Sequence, residues 1–212
     1  MAAVLVATGG FLCLYGFTAS VGCATSPDSA GYLAGAISLR TGEAYLGYDG
    51  RPLVSWPPAY PLLLAGGSVV APLTPNGSPV VVGWLLYAVS LGTMWSLLRH
   101  LGLRPWLRLC VFSLAAFSST LVLYMGALLS EGLFIALILL FARVATKELD
   151  FVWRFTWLAA LAAVATLTRY VGAGLYPLVG LALAWHWAQR PRRARSLLFL
   201  AAALALATFP VV

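Results

Sequence analysis

Two long apolar stretches, each interrupted by a single charged residue, constrain this chain most strongly. In Leu109–Ala142 the single charge is Glu131, and in Phe155–Gln189 it is Arg169. A bilayer core about 30 Å thick needs roughly 20 apolar residues per helix. Each stretch is therefore too long for one span and just long enough for two short ones joined by a tight turn. The pattern predicts two helical hairpins within a membrane.

The composition agrees with a membrane protein and excludes other classes. Hydrophobic residues make up 62% of the chain and charged residues 9%, with a mean hydropathy of +0.93, whereas soluble domains carry about 25% charged residues. The net charge of +7 does not indicate a nucleic-acid partner, because the basic residues lie in short clusters between apolar runs, as the orientation charges of membrane loops do. The 3 cysteines are odd in number and lack metal-ligand spacing, so a disulfide framework is not expected.

The remaining apolar runs complete an all-α, polytopic membrane protein of about seven transmembrane helices, in one domain over residues 1–212. The first run, Ala2–Cys23, lacks the basic start of a signal peptide and is expected to remain as span one. Span two is expected over about Val80–Leu98, the two hairpins supply spans three to six, and Ser196–Val212 begins span seven. Because the chain stops in that apolar run, we expect it to be the N-terminal portion of a longer protein.

The charges predict how the helices are oriented. With loop 24–61 outside and the spans alternating, ten basic residues fall inside against two acidic ones, Glu148 and Asp150, and three basic residues fall outside against four acidic ones. This distribution follows the positive-inside rule. The sequence therefore predicts an integral membrane protein whose first large loop, 24–61, is extracytoplasmic.

Loop 24–61 is expected to contain amphipathic juxtamembrane helices. Ser26-Pro27-Asp28 is a helix start, because serine caps, proline suits the first helical position and an acidic first turn suits the helix dipole. Apolar residues at helical spacing predict a short helix at the membrane surface that ends at Thr41-Gly42. A second apolar piece, Leu62–Leu73, is too short to span and is predicted to be another juxtamembrane helix.

This topology brings Asp28, Glu131 and Arg169 to the same side of the membrane. A charge at the centre of a bilayer costs about 2.5–3.5 kcal/mol on insertion scales, and less near the interface, so such residues commonly face a polar cavity or pair with each other. The sequence leaves two simpler interpretations open. Glu131 and Arg169 would be hairpin-end charges wetted by water or bound to each other, and Asp28 would only serve the helix dipole.

The motifs around these residues resemble those of a known family. Asp28 after the first span, Tyr32 four residues later, and Trp56-Pro57-Pro58-Ala59-Tyr60-Pro61 entering the next helix are similar to motifs of the membrane glycosyltransferases of the GT-C fold. The resemblance is to the dolichyl-phosphate-mannose–protein mannosyltransferase and aminoarabinose transferase group of bacteria and archaea. Ser130-Glu131 and Leu167-Thr168-Arg169-Tyr170 also match, and the resemblance covers the whole chain. Asp28-Ser29 departs from the acidic pair that some members have.

The resemblance implies transfer of a sugar from a polyprenyl-phosphate donor to a lipid, glycan or protein acceptor, with inversion, outside the cytoplasmic membrane of a prokaryote. Asp28 is then the catalytic base, since an inverting transfer needs a carboxylate opposite the leaving group. Arg169 is the candidate cation for the lipid phosphate, with Arg51 as the second choice. Glu131 is expected to position the acceptor, orient Arg169 or contact a divalent cation, the only cofactor the sequence leaves open.

Two tyrosines complete the expected substrate-binding set, Tyr32 and Tyr60, which belong to the same motifs. Two functions of other classes remain as alternatives. In a transporter or lipid flippase, Glu131 and Arg169 would line a translocation path, although the chain has no convincing internal repeat of broken helices. In a non-catalytic membrane subunit, the same residues would serve only partner binding.

Overall fold

The structure, a computed structural model, describes residues 1–147 and 149–189, and every regular element in these ranges is helical. The all-α prediction is confirmed for this part of the chain. In chain order the elements are α1 (Ala2–Val21), α2 (Pro27–Thr41), α3 (Ala59–Gly67), α4 (Ser78–His100), α5 (Pro105–Ala116), α6 (Ser119–Gly126), α7 (Glu131–Thr146), α8 (Phe151–Thr168), a 3-10 helix (Tyr170–Gly174) and α9 (Leu175–Gln189).

Three helices, α1, α4 and α8, are long and apolar enough to cross a membrane. Helices α5 and α6 make a fourth candidate if the bend of 46° between them lies within one broken span. Helices α7 and α9, with 16 and 15 residues, fall just short of the length that usually crosses a bilayer. The predicted seventh span, Ser196–Val212, lies outside the described residues. The helices are thus compatible with an integral membrane protein.

The bend between α5 and α6 is a feature that the sequence analysis did not predict. The chain leaves helical geometry at Ser118, whose φ and ψ are −63° and 119°. The Ser118 hydroxyl accepts a hydrogen bond from the Leu121 backbone N–H at 3.4 Å. Serine side chains offer the backbone such local partners and thereby compete with helix continuation. One apolar run is consequently divided into two helices.

Successive long helices alternate in direction, which gives the bundle two ends. The end that holds the last turn of α1, the first turn of α4 and the first turn of α7 is called the site end below. The opposite end, called the arginine end, carries a cluster of basic residues: Arg99, Arg104, Arg108, Arg143, Lys147 and Arg154. There the Arg143 Nε–H donates to Ser96 Oγ at 2.7 Å, which joins α7 to α4.

Two short helices, α2 and α3, connect α1 to α4 along the chain and pack against each other at the site end. Helix α2 begins and ends where the sequence predicted, with a capping box of Ser26 and Ser29 at its start and Gly42 in the left-handed conformation at its end (φ 77°). Helix α3 differs from the predicted range of 62–73, since it begins at Ala59 and ends at Gly67. Proline is tolerated in a first helical turn, whereas Gly66 and Gly67 disfavour continuation.

The core that supports the site end is formed where α4, α7 and α8 pack together. Ala136 of α7 and Phe155 of α8 are both buried. Ala162 and Ala165 of α8 are fully buried as well, and small residues allow helix backbones to approach closely within a membrane. This packing fixes the first residue of α7 and the last residue of α8 near each other.

Candidate functional site

A short non-helical segment, residues 127–130, leads into α7 and forms the floor of the candidate site. Ala127 forms an isolated parallel bridge with Ala24, in which the Ala24 N–H donates to the Gly126 carbonyl and the Leu128 N–H donates to the Ala24 carbonyl, both at 2.9 Å. The Ser29 hydroxyl of α2 donates to the Leu128 carbonyl at 2.8 Å. Non-helical backbone in a membrane protein must find such partners. The segment is thereby tied both to the end of α1 and to α2.

Ser130, the last residue of that segment, joins two other elements through its hydroxyl group. Its side chain is fully buried. Ser130 Oγ lies 2.9 Å from the Tyr32 hydroxyl oxygen of α2 and accepts a longer hydrogen bond, 3.4 Å, from Arg169 Nη1 of α8. A buried hydroxyl without partners would be costly, so Ser130 favours the arrangement in which α2, α7 and α8 meet.

Glu131 and Arg169, the lone charges of their apolar stretches, form an ion pair. Arg169 Nη1 lies 2.6 Å from Glu131 Oε1, and the two side chains are 38% and 29% exposed. Each charge lies at the helix end that favours it, since Glu131 is the first residue of α7 and Arg169 follows the last residue of α8. The mutual ion pair, which the sequence left open as one interpretation, is therefore present.

The ion pair leaves binding capacity unused on both sides. Glu131 Oε2 is buried and has no hydrogen-bond partner among the described residues. The Arg169 guanidinium makes no further hydrogen bond within residues 1–147 and 149–189, although more than a third of the side chain is accessible. A buried carboxylate oxygen without a partner and a planar group with accessible donors thus lie side by side.

Aromatic rings surround the Tyr32 phenol. The Tyr60 ring contacts the Tyr32 ring edge-on at a centroid distance of 5.2 Å, and the Trp56 ring does so at 6.3 Å. Burial raises the pKa of Tyr32 above its usual value, and the hydrogen bond that its hydroxyl shares with Ser130 acts in the opposite direction. Burial also raises the pKa of Tyr60. Both phenols therefore stay protonated at neutral pH.

Asp28 lies at the edge of this cluster. It is exposed in the first turn of α2, one turn before Tyr32. Its charge acts on the Tyr32 phenol together with those of Glu131 and Arg169. It forms no ion pair or hydrogen bond with another side chain in the described ranges.

Residues 42–58 form a loop that is held against α2 and α8. The Tyr45 hydroxyl donates to the Trp56 carbonyl at 2.9 Å, and the Tyr170 hydroxyl donates to the Val54 carbonyl at 2.8 Å. The loop approaches α2 closely at Gly31, where a Cβ would lie 3.1 Å from the Trp56 ring. Since Tyr170 directly follows Arg169, the loop is joined to the same part of α8 that carries the guanidinium.

Arg51, the second candidate cation, is not brought to this cluster. Its side chain is 86% exposed, and its Nε lies 4.0 Å from Asp49 Oδ2, an exposed pair of little energetic weight. Arg51 and Asp49 line a cavity of about 170 Å³ within the loop itself. The structure therefore joins Tyr32, Tyr60, Glu131 and Arg169, leaves Asp28 close by, and keeps Arg51 apart.

A divalent cation is poorly matched to the described residues. No group of three or more His, Cys, Asp or Glu side chains that would hold a metal occurs in residues 1–147 and 149–189. The nearest candidate ligand, Glu131, already shares Oε1 with a guanidinium, whose positive charge opposes a second cation. The residues present do not form a metal site of their own.

Two contacts that organise the site were not predicted from the sequence. Ser130 was part of a recognised motif, but its bonds to Tyr32 and Arg169 join residues that are far apart in the chain. The Tyr170–Val54 bond is equally non-local. The one available signal was the position of Ser130 just before the lone acid of an apolar stretch. Comparisons with protein-family models, curated proteins and solved structures find no match to this chain.

Proposed function

We propose that this protein is a membrane glycosyltransferase that transfers a sugar from a polyprenyl-phosphate donor to an acceptor hydroxyl, with inversion at the anomeric carbon. One observation carries the proposal: Tyr32, Ser130, Glu131 and Arg169, from α2, α7 and α8, form one connected polar cluster, with Asp28 one helical turn away. A lipid-linked phosphate and a carbohydrate hydroxyl are substrates that such a mixture of cation, carboxylates and phenol is suited to bind.

The proposed topology is the seven-span arrangement with loop 24–61 outside the cytoplasmic membrane. The site end then faces the extracytoplasmic side and the arginine end faces the cytoplasm, in agreement with the positive-inside rule. The donor lipid would reach the site from the outer leaflet. The exposed side of the Arg169 guanidinium, which the Glu131 pair leaves accessible, would meet its phosphate at the boundary of hydrocarbon and water.

In the proposed reaction the acceptor oxygen attacks the anomeric carbon while the bond from that carbon to the phosphate oxygen breaks. The acceptor proton passes to the Asp28 carboxylate, and the lipid phosphate leaves with the bonding electron pair. Negative charge on the leaving oxygen grows along this path, so a fixed guanidinium stabilises the transition state more than the ground state. Glu131 holds Arg169 in place through the ion pair at Oε1.

The first experiment compares Asp28→Asn with Glu43→Gln, a matched loss of charge at an exposed acid of the same loop. Purified variants are supplied with undecaprenyl-phosphate-linked sugars, and release of undecaprenyl phosphate is measured. Asp28→Asn is expected to lower turnover by at least 10²-fold, while Glu43→Gln stays near the wild-type rate. Equal rates for both variants would remove Asp28 from the role of base.

A second measurement tests the donor class itself. Wild-type protein is expected to bind undecaprenyl phosphate, and Arg169→Ala is expected to weaken that binding on the order of tenfold, since a charge-assisted hydrogen bond to phosphate is lost. If wild type neither binds undecaprenyl phosphate nor releases it from any linked sugar, the glycosyltransferase proposal is wrong. Sugar-independent passage of undecaprenyl phosphate across proteoliposomes would instead support the flippase alternative.

A further inference from the structure

An apolar cavity of about 440 Å³ lies far from the proposed site, towards the arginine end of the bundle. It is formed between the first half of α1, the second half of α4 and helix α5, and its walls include Phe11, Gly92, Trp95 and Phe112. Its volume is within the usual range of small-molecule sites, about 300–1,000 Å³. Because its walls are apolar, water has few partners there, so the cavity favours a hydrocarbon occupant.

A cationic residue lies beside one wall of the cavity. Arg108 of α5 lies one turn before Phe112, and its guanidinium carbon is 5.8 Å from the ring centroid of Trp95, a wall residue. Trp95 in turn contacts Phe112, with ring centroids 5.1 Å apart. A guanidinium group is thus held next to the aromatic wall of an apolar cavity.

We propose that this cavity binds one anionic glycerophospholipid, with an acyl chain between α1, α4 and α5 and the phosphate on Arg108. The occupant is identified by the two chemistries that meet here. The walls match an acyl chain, and the Arg108 guanidinium, beside the wall residue Trp95, matches a phosphate oxygen. Basic groups between transmembrane helices are recognised sites for anionic headgroups, and Trp95 has the amphipathic character found at membrane interfaces.

The charge of the surroundings favours an anionic lipid over a neutral one. Arg104 directly precedes α5 as its N-cap, and Arg99 lies in the last turn of α4. Two further cations therefore lie with Arg108 at the arginine end. No acidic residue lies between Arg99 and Arg108 in the sequence to neutralise them. Val4 and Leu12 of α1 and Leu114 of α5 are exposed, which places the outer surface of these helices in hydrocarbon and leaves the acyl chain a lateral route of entry.

The test uses dioleoyl phosphatidylglycerol and dioleoyl phosphatidylcholine as probes, added to the full chain in detergent and counted by native mass spectrometry. Wild type is expected to retain one phosphatidylglycerol with about tenfold preference over phosphatidylcholine. Arg108→Gln should remove that preference. Arg154→Gln is the matched control, because Arg154 also stacks on an aromatic ring, Phe155, at 5.7 Å, but Phe155 is not part of the cavity wall, whereas Trp95 beside Arg108 is.

The acyl part of the site has its own pair of variants. A Cβ at Gly92 meets nothing within 4 Å, and the same is true at Gly16 on α1. Gly92→Leu therefore fills the cavity without a backbone clash and is expected to reduce binding of both lipids at least tenfold. Gly16→Leu makes the same chemical change away from the cavity and should bind as wild type does. Equal thermal midpoints within each pair show that the variants are folded.

Several results would overturn the proposal. Equal loss of phosphatidylglycerol in Arg108→Gln and Arg154→Gln would mean that only bulk charge attracts the lipid. Equal binding by Gly92→Leu and Gly16→Leu would exclude the cavity. A phosphatidylglycerol with a photoactivatable acyl chain must label the peptides that contain Gly92 or Phe112. Label on other peptides would place the lipid outside the cavity. A dimer that Gly92→Leu dissociates would assign the cavity to a second copy of the chain, and cross-links to residues 196–212 would assign it to that segment.

Discussion

Removal of the two members of the Glu131–Arg169 pair, one at a time, is expected to destabilise the protein unequally. Arg169→Met removes the only described partner of Glu131 Oε1 and leaves Oε2 as it is, buried without a partner. The carboxylate then has no hydrogen-bond donor from the described residues. Glu131→Gln has a milder consequence, because the guanidinium keeps its bond to Ser130 and its accessible side.

The expected magnitudes follow from the exposure of the pair. Removal of one partner from a fully buried pair costs about 3–5 kcal/mol, whereas exposed pairs contribute about 0–1 kcal/mol. With 38% and 29% of the side chains exposed, the pair lies between these cases, and Arg169→Met is expected to cost about 2 kcal/mol. Glu131→Gln should cost about 0.5–1 kcal/mol, since a neutral amide still accepts a hydrogen bond.

The double variant Glu131→Gln/Arg169→Met completes the cycle. It should cost less than the sum of the single variants by about 1 kcal/mol, because the penalty of an isolated carboxylate disappears when that carboxylate is neutralised. Of the three variants, Arg169→Met is expected to have the lowest free energy of unfolding.

Cys23 provides the assay, because it is 5% exposed and lies close to the site end. In a Cys13→Ala/Cys110→Ala background it is the only thiol of the chain. Unfolding by dodecyl sulfate in mixed micelles is followed through labelling of that thiol, and the free energies of the four proteins are compared. Equal losses for the two single variants, or strict additivity in the double variant, would refute the reasoning about the unpaired carboxylate.

Three further predictions concern the surroundings of the pair. Tyr32→Phe is expected to lower the free energy of unfolding by about 1–2 kcal/mol because buried Ser130 loses its phenolic partner, with the exposed Tyr48→Phe as the neutral control in the same assay. Burial raises the pKa of Cys23 to about 12 from 9.0, so iodoacetamide should alkylate the native thiol slowly at pH 8 and roughly tenfold faster per unit of pH up to 11. A rate that does not change with pH would contradict the raised pKa. Because the raised pKa favours the protonated thiol in the folded state, its contribution to stability is complete below pH 9 and is lost between pH 9 and 12. Tyr170→Phe removes the bond to the Val54 carbonyl and should raise amide hydrogen exchange in residues 45–56 without a change in the midpoint of unfolding, whereas unchanged exchange would show that the loop does not depend on this bond.

The features that could be predicted from the sequence are those determined by neighbouring residues. Helix α2 was predicted because Ser26 and Gly42, at its two ends, act on backbone groups within one turn. Glu131 and Arg169 were found because charges are rare and costly in apolar stretches. The start of α3 differs because the predicted helix began after Pro61, whereas in the structure Pro61 lies in the first turn of a helix that begins at Ala59, a position where proline is tolerated.

The features that could not be predicted depend on partners distant in the chain. The interruption at Ser118 separates α5 from α6, but a serine within an apolar run is equally able to remain in a helix. The bonds of Ser130 to Tyr32 and Arg169 exist only once α2, α7 and α8 have packed. Periodicity and charge counts identify which residues are unusual, but not which of them meet.

The non-helical segment 127–130 explains why residues from three helices act as one unit. Its backbone is bound to Ala24, and Leu128 is bound to Ser29 of α2, so the start of α2 and the start of α7 share one rigid connection. Asp28 lies between these two anchors, Ala24 and Ser29, in the sequence. Its carboxylate makes no side-chain contact in the described ranges, yet its backbone position is fixed relative to Glu131 by hydrogen bonds on both sides. A candidate base that is held by its backbone and left free at its side chain can accept a proton without giving up a structural bond.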